Sequence, residues 1–330
     1  MKWLKRILIS LLILLVIIIV SGFLIVQLTP KPVSLLVRKQ FDSSQQTQVY
    51  TRPDFFEESE ETVSIESDIK YPSENKNNNM DVYVPKEIDQ SAPILFWMHG
   101  GAYVGGDKRD CKDYLTMLSA QAKIIIVNVN YALAPDISHP VPVRQLNEAV
   151  AAIKKSQYPI DWDNIYLGVD SAGAQIASEY LISLTNKKLQ KTNQLSPVLK
   201  NVQIKKFISL SGLLEPDKFA EIDDSISGFL FEQSGWAYFC YKNFSNRSEV
   251  KNLSLSKHSK ELHQEFFFTD GNQKTFTMQM NTTAEALKRD NLSVTKISYD
   301  ESKLGHEYQF DFNNPEAEKT FKELVGFIDK

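Results

Sequence analysis

Residues 165–176 read IYLGVDSAGAQI, an apolar run followed by Ser171 among small residues and then by a helical pattern. This order predicts a strand, a tight turn that carries the serine, and a helix. Such a turn lifts the serine hydroxyl above the edge of a sheet, where the positive end of the helix favours negative charge. A serine before a helix is usually only a cap, so the segment needs partners elsewhere in the chain.

A glycine-rich loop follows an earlier apolar run and reads HGGAY at 99–103. Two consecutive glycines let backbone N–H groups approach a ligand without obstruction by side chains. We therefore expect the amides of Gly101 and Ala102 to form an oxyanion hole together with the amide of Ala172. His99 is predicted to hold the loop in place.

An acid and a base follow the serine in the order that a catalytic triad needs. The strand pattern EFFFT at 265–269 is followed directly by Asp270, at the end of the strand where α/β sheets present functional groups. His306 lies in the loop LGHEY after the next strand pattern. The chain order predicts that His306 takes the Ser171 proton, while Asp270 fixes the imidazole tautomer and stabilises the imidazolium. Asp300 is a weaker candidate for the acid because it follows the last predicted strand.

Short apolar runs alternate with helical segments from about residue 80 onward. Several runs are continuously apolar, as expected for strands that are covered on both faces. This alternation predicts an α/β fold class with a doubly wound, mostly parallel central sheet. The predicted strands are 80–84, 94–98, 124–129, 165–168, 206–210, 265–269 and 294–299. The predicted helices are 143–155, 174–184, one with a capping box at Thr282 and Glu285, and one that begins at Asn314-Pro315.

These motifs resemble those of the hormone-sensitive-lipase-like group of α/β hydrolases, which includes bacterial carboxylesterases and lipases. The resemblance covers residues from about 80 to 326. It includes HGGAYVGGDK (99–108), NYALAP (130–135), VDSAGAQIA (169–177), SGWAYF (234–239), TDGN (269–272) and LGHEYQF (304–310). It implies the α/β-hydrolase fold, hydrolysis of carboxylic esters with mostly short acyl chains, and neither a cofactor nor a metal. It also implies an oxyanion hole at the amides of Gly101, Ala102 and Ala172.

The chain departs from the family pattern at two positions. Ala102 stands where a third glycine is expected, but it keeps its backbone N–H. Val169 stands two residues before the serine, where the pattern has glycine. Crowding by Val169 predicts a displacement of Ser171 from His306 and hence a slow or narrowly selective enzyme, because a misplacement of about 1 Å can cost roughly 100-fold in rate.

The N-terminus contains a long apolar run. Residues 7–28 carry no charge, and as a helix they would span about 33 Å, enough for a hydrocarbon core of roughly 30 Å. We predict an uncleaved membrane anchor that contacts the lipid bilayer, since the apolar core of a signal peptide is shorter. Lys2, Lys5 and Arg6 precede the run and favour a cytoplasmic N-terminus, with the enzyme domain outside the cytoplasm.

The predicted organisation is a membrane anchor over 1–30, a tether or N-terminal segment over 31–60, and an α/β-hydrolase domain over 61–330. Residues from 213 to about 262 break the strand–helix rhythm and predict an aromatic-rich cap insertion that lines the acyl pocket. The formal net charge of −4 and the lack of a long basic run argue against a nucleic-acid partner.

The expected partners are therefore a small acyl ester and the bilayer, and the oligomeric state stays open. Two alternatives remain at this point. One is a peptidase or a cell-surface glycan deacetylase with the same triad. The other is a catalytically inactive, membrane-tethered binding module.

Overall fold

The computed structural model describes residues 2–44, 51–88, 90–222 and 224–330. Within these ranges the helices are α1 Lys2–Leu28, α2 Lys31–Ser44, α3 Phe56–Thr62, α4 Lys112–Ala122, α5 Val141–Ile153, α6 Gly173–Ser183, α7 Lys187–Asn193, α8 Ser225–Phe239, α9 Ser248–Lys251, α10 Thr277–Arg289 and α11 Pro315–Ile328. The strands are β1 Val63–Lys70, β2 Asn79–Pro85, β3 Ala92–Met98, β4 Ile125–Val129, β5 Ile160–Asp170, β6 Ile204–Leu210, β7 Glu265–Thr269 and β8 Val294–Ile297.

The eight strands form one sheet in the order β1-β2-β4-β3-β5-β6-β7-β8. All neighbouring strands from β4 to β8 pair in parallel, whereas β2 is antiparallel to both β1 and β4. The prediction of a mostly parallel α/β sheet is therefore confirmed. The carboxyl ends of β3, β5 and β7 meet at one edge, which is where the predicted site residues follow their strands.

Helices cover both faces of the sheet. Along β3, Phe96 belongs to one buried apolar cluster and Trp97 belongs to the other, since successive side chains point to opposite faces. The first cluster also contains α5 and α6 side chains such as Leu146 and Ile176, and the second contains Leu324 of α11. This burial on both faces explains why the central strands read as continuous apolar runs.

The edge strand β1 was not predicted. Most of its side chains are exposed, so its sequence lacks an apolar pattern. Its pairing with β2 comes from backbone hydrogen bonds, which leave no mark on side-chain composition.

One predicted helix start is wrong, and one predicted cap makes no side-chain hydrogen bond. α10 begins at Thr277, so Thr282 lies inside the helix, where its hydroxyl donates to the carbonyl of Met278 at 2.9 Å. The predicted capping box is therefore not a helix start. α11 does begin with Pro315, but the Asn314 side chain makes no capping bond.

The segment 31–60 is more ordered than a simple tether. Its first part is the helix α2, which packs on α8 of the predicted cap, and its last part is mostly the helix α3. Residues 45–50 of this segment lie outside the described residues, as does residue 223 of the predicted cap. The domain boundaries therefore stay a prediction.

The helix α1 is long and apolar enough to cross a membrane over Trp3–Leu28, and none of that stretch is buried in the protein. Its length and composition fit either a membrane span or a signal sequence. The N-terminal orientation stays a prediction.

Candidate active site

Ser171 lies in the tight turn that the sequence predicts between β5 and α6. Its φ is 43°, a left-handed conformation that costs a non-glycine residue about 1–3 kcal/mol and is held by its surroundings. Its N–H donates to the Leu210 carbonyl at 3.1 Å, and its own carbonyl accepts from Leu213 at 2.8 Å. Gly173 is required here, because a Cβ at this position would lie 2.1 Å from the Met98 carbonyl oxygen.

His306 is the neighbour that the sequence predicts for this serine. Its Nε2 lies 2.9 Å from Ser171 Oγ, which is a hydrogen-bond distance. The Phe276 ring meets the imidazole edge-on at 5.2 Å. Burial lowers the pKa of His306 to about 4, so the imidazole is neutral at pH 7 and able to accept a proton.

Asp270 follows β7 as predicted, but its carboxyl group is too far from the His306 ring for a hydrogen bond. Its Oδ1 lies 3.9 Å from His306 Nδ1, beyond hydrogen-bond distance. Among the described residues, His306 Nδ1 and Asp270 Oδ2 have no hydrogen-bond partner, whereas Oδ1 accepts from the Gly271 N–H at 2.8 Å. Burial raises the pKa of Asp270 to about 7. Hydrogen bonds of catalytic groups are often long without substrate and shorten when it binds.

Val169 does not displace the serine. Its side chain is fully buried in the apolar core, and the contact between Ser171 and His306 is intact. The close approach occurs one residue earlier, at Gly168, where a Cβ would lie 2.4 Å from the Trp97 ring. The displacement that we expected from Val169 is therefore absent, and with it the reason to expect a slow enzyme.

The glycine loop has an unusual backbone. Gly101, Ala102 and Tyr103 have φ values of 105°, 51° and 67° in succession. A Cβ on Gly101 would lie 2.1 Å from the Gly105 carbonyl oxygen, so only glycine fits there. Ala102 adopts a left-handed dihedral that favours glycine, which means that its replacement of the family glycine carries some strain.

The three predicted oxyanion-hole donors are not used inside the protein. Within the described ranges, the backbone N–H groups of Gly101, Ala102 and Ala172 have no acceptor among the hydrogen bonds of the protein. All three residues are buried. Unpaired buried amides are uncommon in proteins.

Asp170 supports the glycine loop, a role that no motif in the sequence marks. Its Oδ2 accepts from the Gly100 N–H at 2.6 Å, and its Oδ1 accepts from Trp97 Nε1 at 2.7 Å. A Cβ on Gly100 would lie 2.5 Å from Asp170 Oδ2, so the loop can close on this carboxylate only with glycine at that position. Burial raises the pKa of Asp170 to about 6.

Glu307 also approaches the site, next to the base. Its Oε1 lies 3.8 Å from His306 Nε2. Burial, with the nearby charge of Asp170, raises the pKa of Glu307 well above its usual range. Both carboxyl groups lie against Gly100, where an added Cβ would be 2.5 Å from Asp170 Oδ2 and 3.0 Å from Glu307 Oε1. In the sequence, the only sign of Glu307 as part of the site is its position next to the predicted histidine.

A family model supports this architecture. Residues 80–276, more than half of the chain, match the model of the BD-FAE family. The chain belongs to the BD-FAE family. The prediction of an α/β hydrolase is thus confirmed.

The curated relatives of this BD-FAE chain include one plant protein and one fungal protein. Over 118 residues it is 32% identical to tuliposide B-converting enzyme 1 of Tulipa gesneriana, covering 31% of this chain and 27% of the tulip protein. Over 112 residues it is 33% identical to versiconal hemiacetal acetate esterase of Dothistroma septosporum, covering 33% of each. The matched part of the chain spans a third or less of the length of these relatives.

Solved structures of esterases share the fold over nearly the whole BD-FAE chain. Esterase B of Lactobacillus rhamnosis has a TM-score of 0.73 at 19% identity and matches 90% of this chain and 96% of its own. The thermophilic carboxylesterase EstE1, cloned from a metagenomic library, has a TM-score of 0.66 at 16% identity and matches 91% and 97%. These likenesses establish the α/β-hydrolase fold.

Proposed function

We propose that this protein is a serine hydrolase that cleaves carboxylic esters through an acyl-enzyme on Ser171. The observation that carries the proposal is the 2.9 Å contact between Ser171 Oγ and His306 Nε2. Membership of the BD-FAE family and the names of the similar proteins support ester hydrolysis as the reaction class.

In the proposed reaction, His306 Nε2 accepts the Ser171 proton as the Oγ bonds to the acyl carbon. The bond from that carbon to the alcohol oxygen then breaks, and His306 gives the proton to the leaving alcohol. Water attacks the acyl-enzyme with His306 again as the base, which releases the carboxylic acid and restores the serine. Asp270 orients the imidazole and stabilises its charged form, after a small movement that closes the 3.9 Å gap.

The amides of Gly101, Ala102 and Ala172 would stabilise the oxyanion that forms on the acyl carbonyl. Their lack of partners within the protein supports this role, because a donor that is already engaged could not respond to the developing charge. A donor of this kind is typically worth about 2.7–4 kcal/mol in the barrier.

Short acyl groups are the proposed substrates. Ser171 is only 4% exposed, so little room is open beside the nucleophile. The Phe231 ring of α8 contacts that of Phe276 at 5.5 Å, and Phe276 in turn contacts His306. This aromatic wall supports the predicted role of the cap insertion in lining the acyl pocket.

We also propose that α1 anchors the chain in a membrane, with the hydrolase domain, residues 61–330, outside the cytoplasm. Lys2, Lys5 and Arg6 at the start of α1 support this orientation. A protease added to intact cells should degrade the domain, and complete protection of the domain in cells with an accessible surface would contradict the orientation.

The test uses the full chain in detergent, with a fluorophosphonate probe and a series of nitrophenyl esters of increasing acyl length. We expect the probe to label Ser171 and the acetate and butyrate esters to be the best substrates. Ser171→Ala should abolish labelling and lower ester hydrolysis by several orders of magnitude.

The alternatives give different results. Labelling of Ser171 without hydrolysis of any ester, but with cleavage of a peptide or an acetylated glycan, would indicate the same triad acting on another acyl group. A folded protein that neither reacts with the probe nor cleaves any of these substrates would contradict the proposal and favour an inactive binding module.

A further inference from the structure

The juxtamembrane helix α2 reaches the glycine loop, although the two are far apart in sequence. The Arg38 side chain donates from Nε to the Val104 carbonyl at 2.7 Å, across 66 residues of chain. It donates from Nη2 to the Ala134 carbonyl at 2.6 Å and from Nη1 to Asp136 Oδ2 at 3.0 Å. The planar guanidinium therefore reaches three acceptors from three separate nitrogens, whereas the donors of an ammonium group all leave from one nitrogen.

Together with a backbone hydrogen bond, these bonds link Arg38, the glycine loop and the segment that contains Ala134. The Ala134 N–H donates to the Tyr103 carbonyl at 2.9 Å, while the Ala134 carbonyl accepts from Arg38. Tyr103 and Val104 are the residues that follow the predicted oxyanion donors. Arg38 thus holds both the loop and the segment on which the loop rests.

A second contact from α2 lies next to the first. The Phe41 side chain packs on Gly105, where an added Cβ would lie 2.8 Å from the ring. Gly105 also donates its N–H to the Gly101 carbonyl at 2.9 Å. It is therefore hydrogen-bonded to the residue that carries one predicted oxyanion amide. The docking of α2 therefore explains why residue 105 must be small.

We propose that α2 is part of the machinery of the site and that Arg38 is a positioning residue for the oxyanion hole. The loop has three successive left-handed residues, Gly101 to Tyr103, and such a backbone keeps its shape only when its neighbours hold it. Loss of the Arg38 bonds lets the loop relax, and the amides of Gly101 and Ala102 then leave their positions beside Ser171. The catalytic part of this proposal rests on the proposed function.

The position of α2 in the chain connects the glycine loop to the apolar helix α1. α2 begins at Lys31, and only two residues separate it from the end of the apolar helix α1 at Leu28. Lys242, just beyond α8, donates to the Gln27 carbonyl at 3.2 Å, so the end of α1 is also in contact with the cap. The segment predicted to be a tether therefore couples the N-terminal apolar helix to the geometry of the glycine loop.

The test compares Arg38→Ala, Arg38→Lys and Asp136→Asn in the full chain in detergent. The matched control is Arg52→Ala, since Arg52 also forms an ion pair, with Asp113 at 2.9 Å, but has no bond to the loop. Hydrogen exchange of the amides of residues 101–105 reports the loop directly and does not depend on activity. Ester kinetics and the rate of fluorophosphonate labelling report its catalytic effect.

We expect Arg38→Ala to speed exchange in the loop and to lower kcat and the labelling rate by about 10- to 100-fold with little change in KM. Arg38→Lys should retain an intermediate rate, and Asp136→Asn should stay near the parent because both carbonyl bonds remain. Low concentrations of guanidinium should restore part of the Arg38→Ala rate, whereas sodium chloride should not.

Unchanged loop exchange in Arg38→Ala, or a loss of kcat no larger than that of Arg52→Ala, would overturn the proposal. Faster loop exchange with an unchanged kcat would overturn its catalytic part. If the parent itself neither reacts with the probe nor cleaves esters, the proposed function fails, while faster exchange would still establish the contact as the support of the loop.

Discussion

Asp270 and His306 form a pair whose proton count decides the pH dependence. The proposed mechanism needs a neutral His306 and an ionised Asp270, which together carry two protons fewer than the fully protonated pair does at low pH. Burial raises the pKa of Asp270 to about 7 and lowers that of His306 to about 4, so the last proton to leave is on the aspartic acid. We therefore expect kcat/KM to rise with pH through about 7.

The variant Asp270→Asn tests this assignment. It should lower kcat by roughly four orders of magnitude, because the imidazole loses the group that orients it and stabilises its charge. Its residual activity should no longer depend on a group that titrates near 7, and the acid limb should move toward the lower pKa of His306. Measured pH profiles of kcat/KM decide the outcome. Asp300→Asn, a change at an exposed acid, serves as the control, and a profile in Asp270→Asn equal to that of the parent would contradict the assignment.

Val169 is a second residue at which the structure changes the expectation. Since the contact between Ser171 and His306 is intact, Val169→Gly has no displacement to correct. We expect this variant to be no faster than the parent on any ester. It should also lose about 2–5 kcal/mol of stability, because it leaves a cavity in the buried core and adds backbone freedom to β5. Denaturant unfolding and ester kinetics measure the two effects, and a faster variant would restore the original hypothesis of a crowded nucleophile.

At the scale of elements, the sequence predicts the helices and strands whose side chains follow a local repeating pattern. β3, β6 and β7 are predicted because both faces are buried along most of their length, so each contains a nearly continuous apolar run. β1 is missed because it is an exposed edge strand, and the start of α10 is misplaced because a threonine inside a helix looks like a cap. α2 is taken for a tether because polar and acidic stretches at 43–48 and 55–61 dominate the segment in which it lies.

The same limit applies to the candidate site. Ser171 and His306 are predicted by motifs, since strand ends and chain order are visible in the sequence. The supports of the glycine loop are not, because each depends on two segments that meet only in the fold. Asp170 bonds to Gly100 across 70 residues, and Arg38 bonds to Val104 across 66. No periodic pattern marks such pairs.

At the scale of the whole molecule, the buried acids make the proposed activity and the stability of the fold change in opposite directions with pH. The folded protein binds a proton on Asp270 more tightly than the unfolded chain does, since the pKa rises from 3.8 to about 7, and the pKa of Glu307 is raised as well. The stability that these groups contribute is complete below their unfolded pKa values and is lost as the pH rises through the folded values. The lowered pKa of His306 acts in the other direction, but only between about 4 and 6.5, where the imidazole of the unfolded chain gains charge.

The free energy of unfolding should therefore fall as the pH rises from 6.5 to 8, in the same range in which the proposed activity increases. One fully titrating group changes it by about 1.4 kcal/mol per pH unit, and a group with a pKa of about 7 titrates only partly over this range, so Asp270 should contribute a decrease on the order of 1 kcal/mol. Asp270→Asn removes one of these titrating groups, and its stability should change less over this range and should exceed that of the parent at pH 8. Denaturant unfolding of both proteins in detergent at pH 6.5, 7.25 and 8 measures this, with Asp300→Asn as the control. If the parent becomes more stable toward pH 8, Asp270 is already ionised at neutral pH, and the acid limb of the activity must then come from another group.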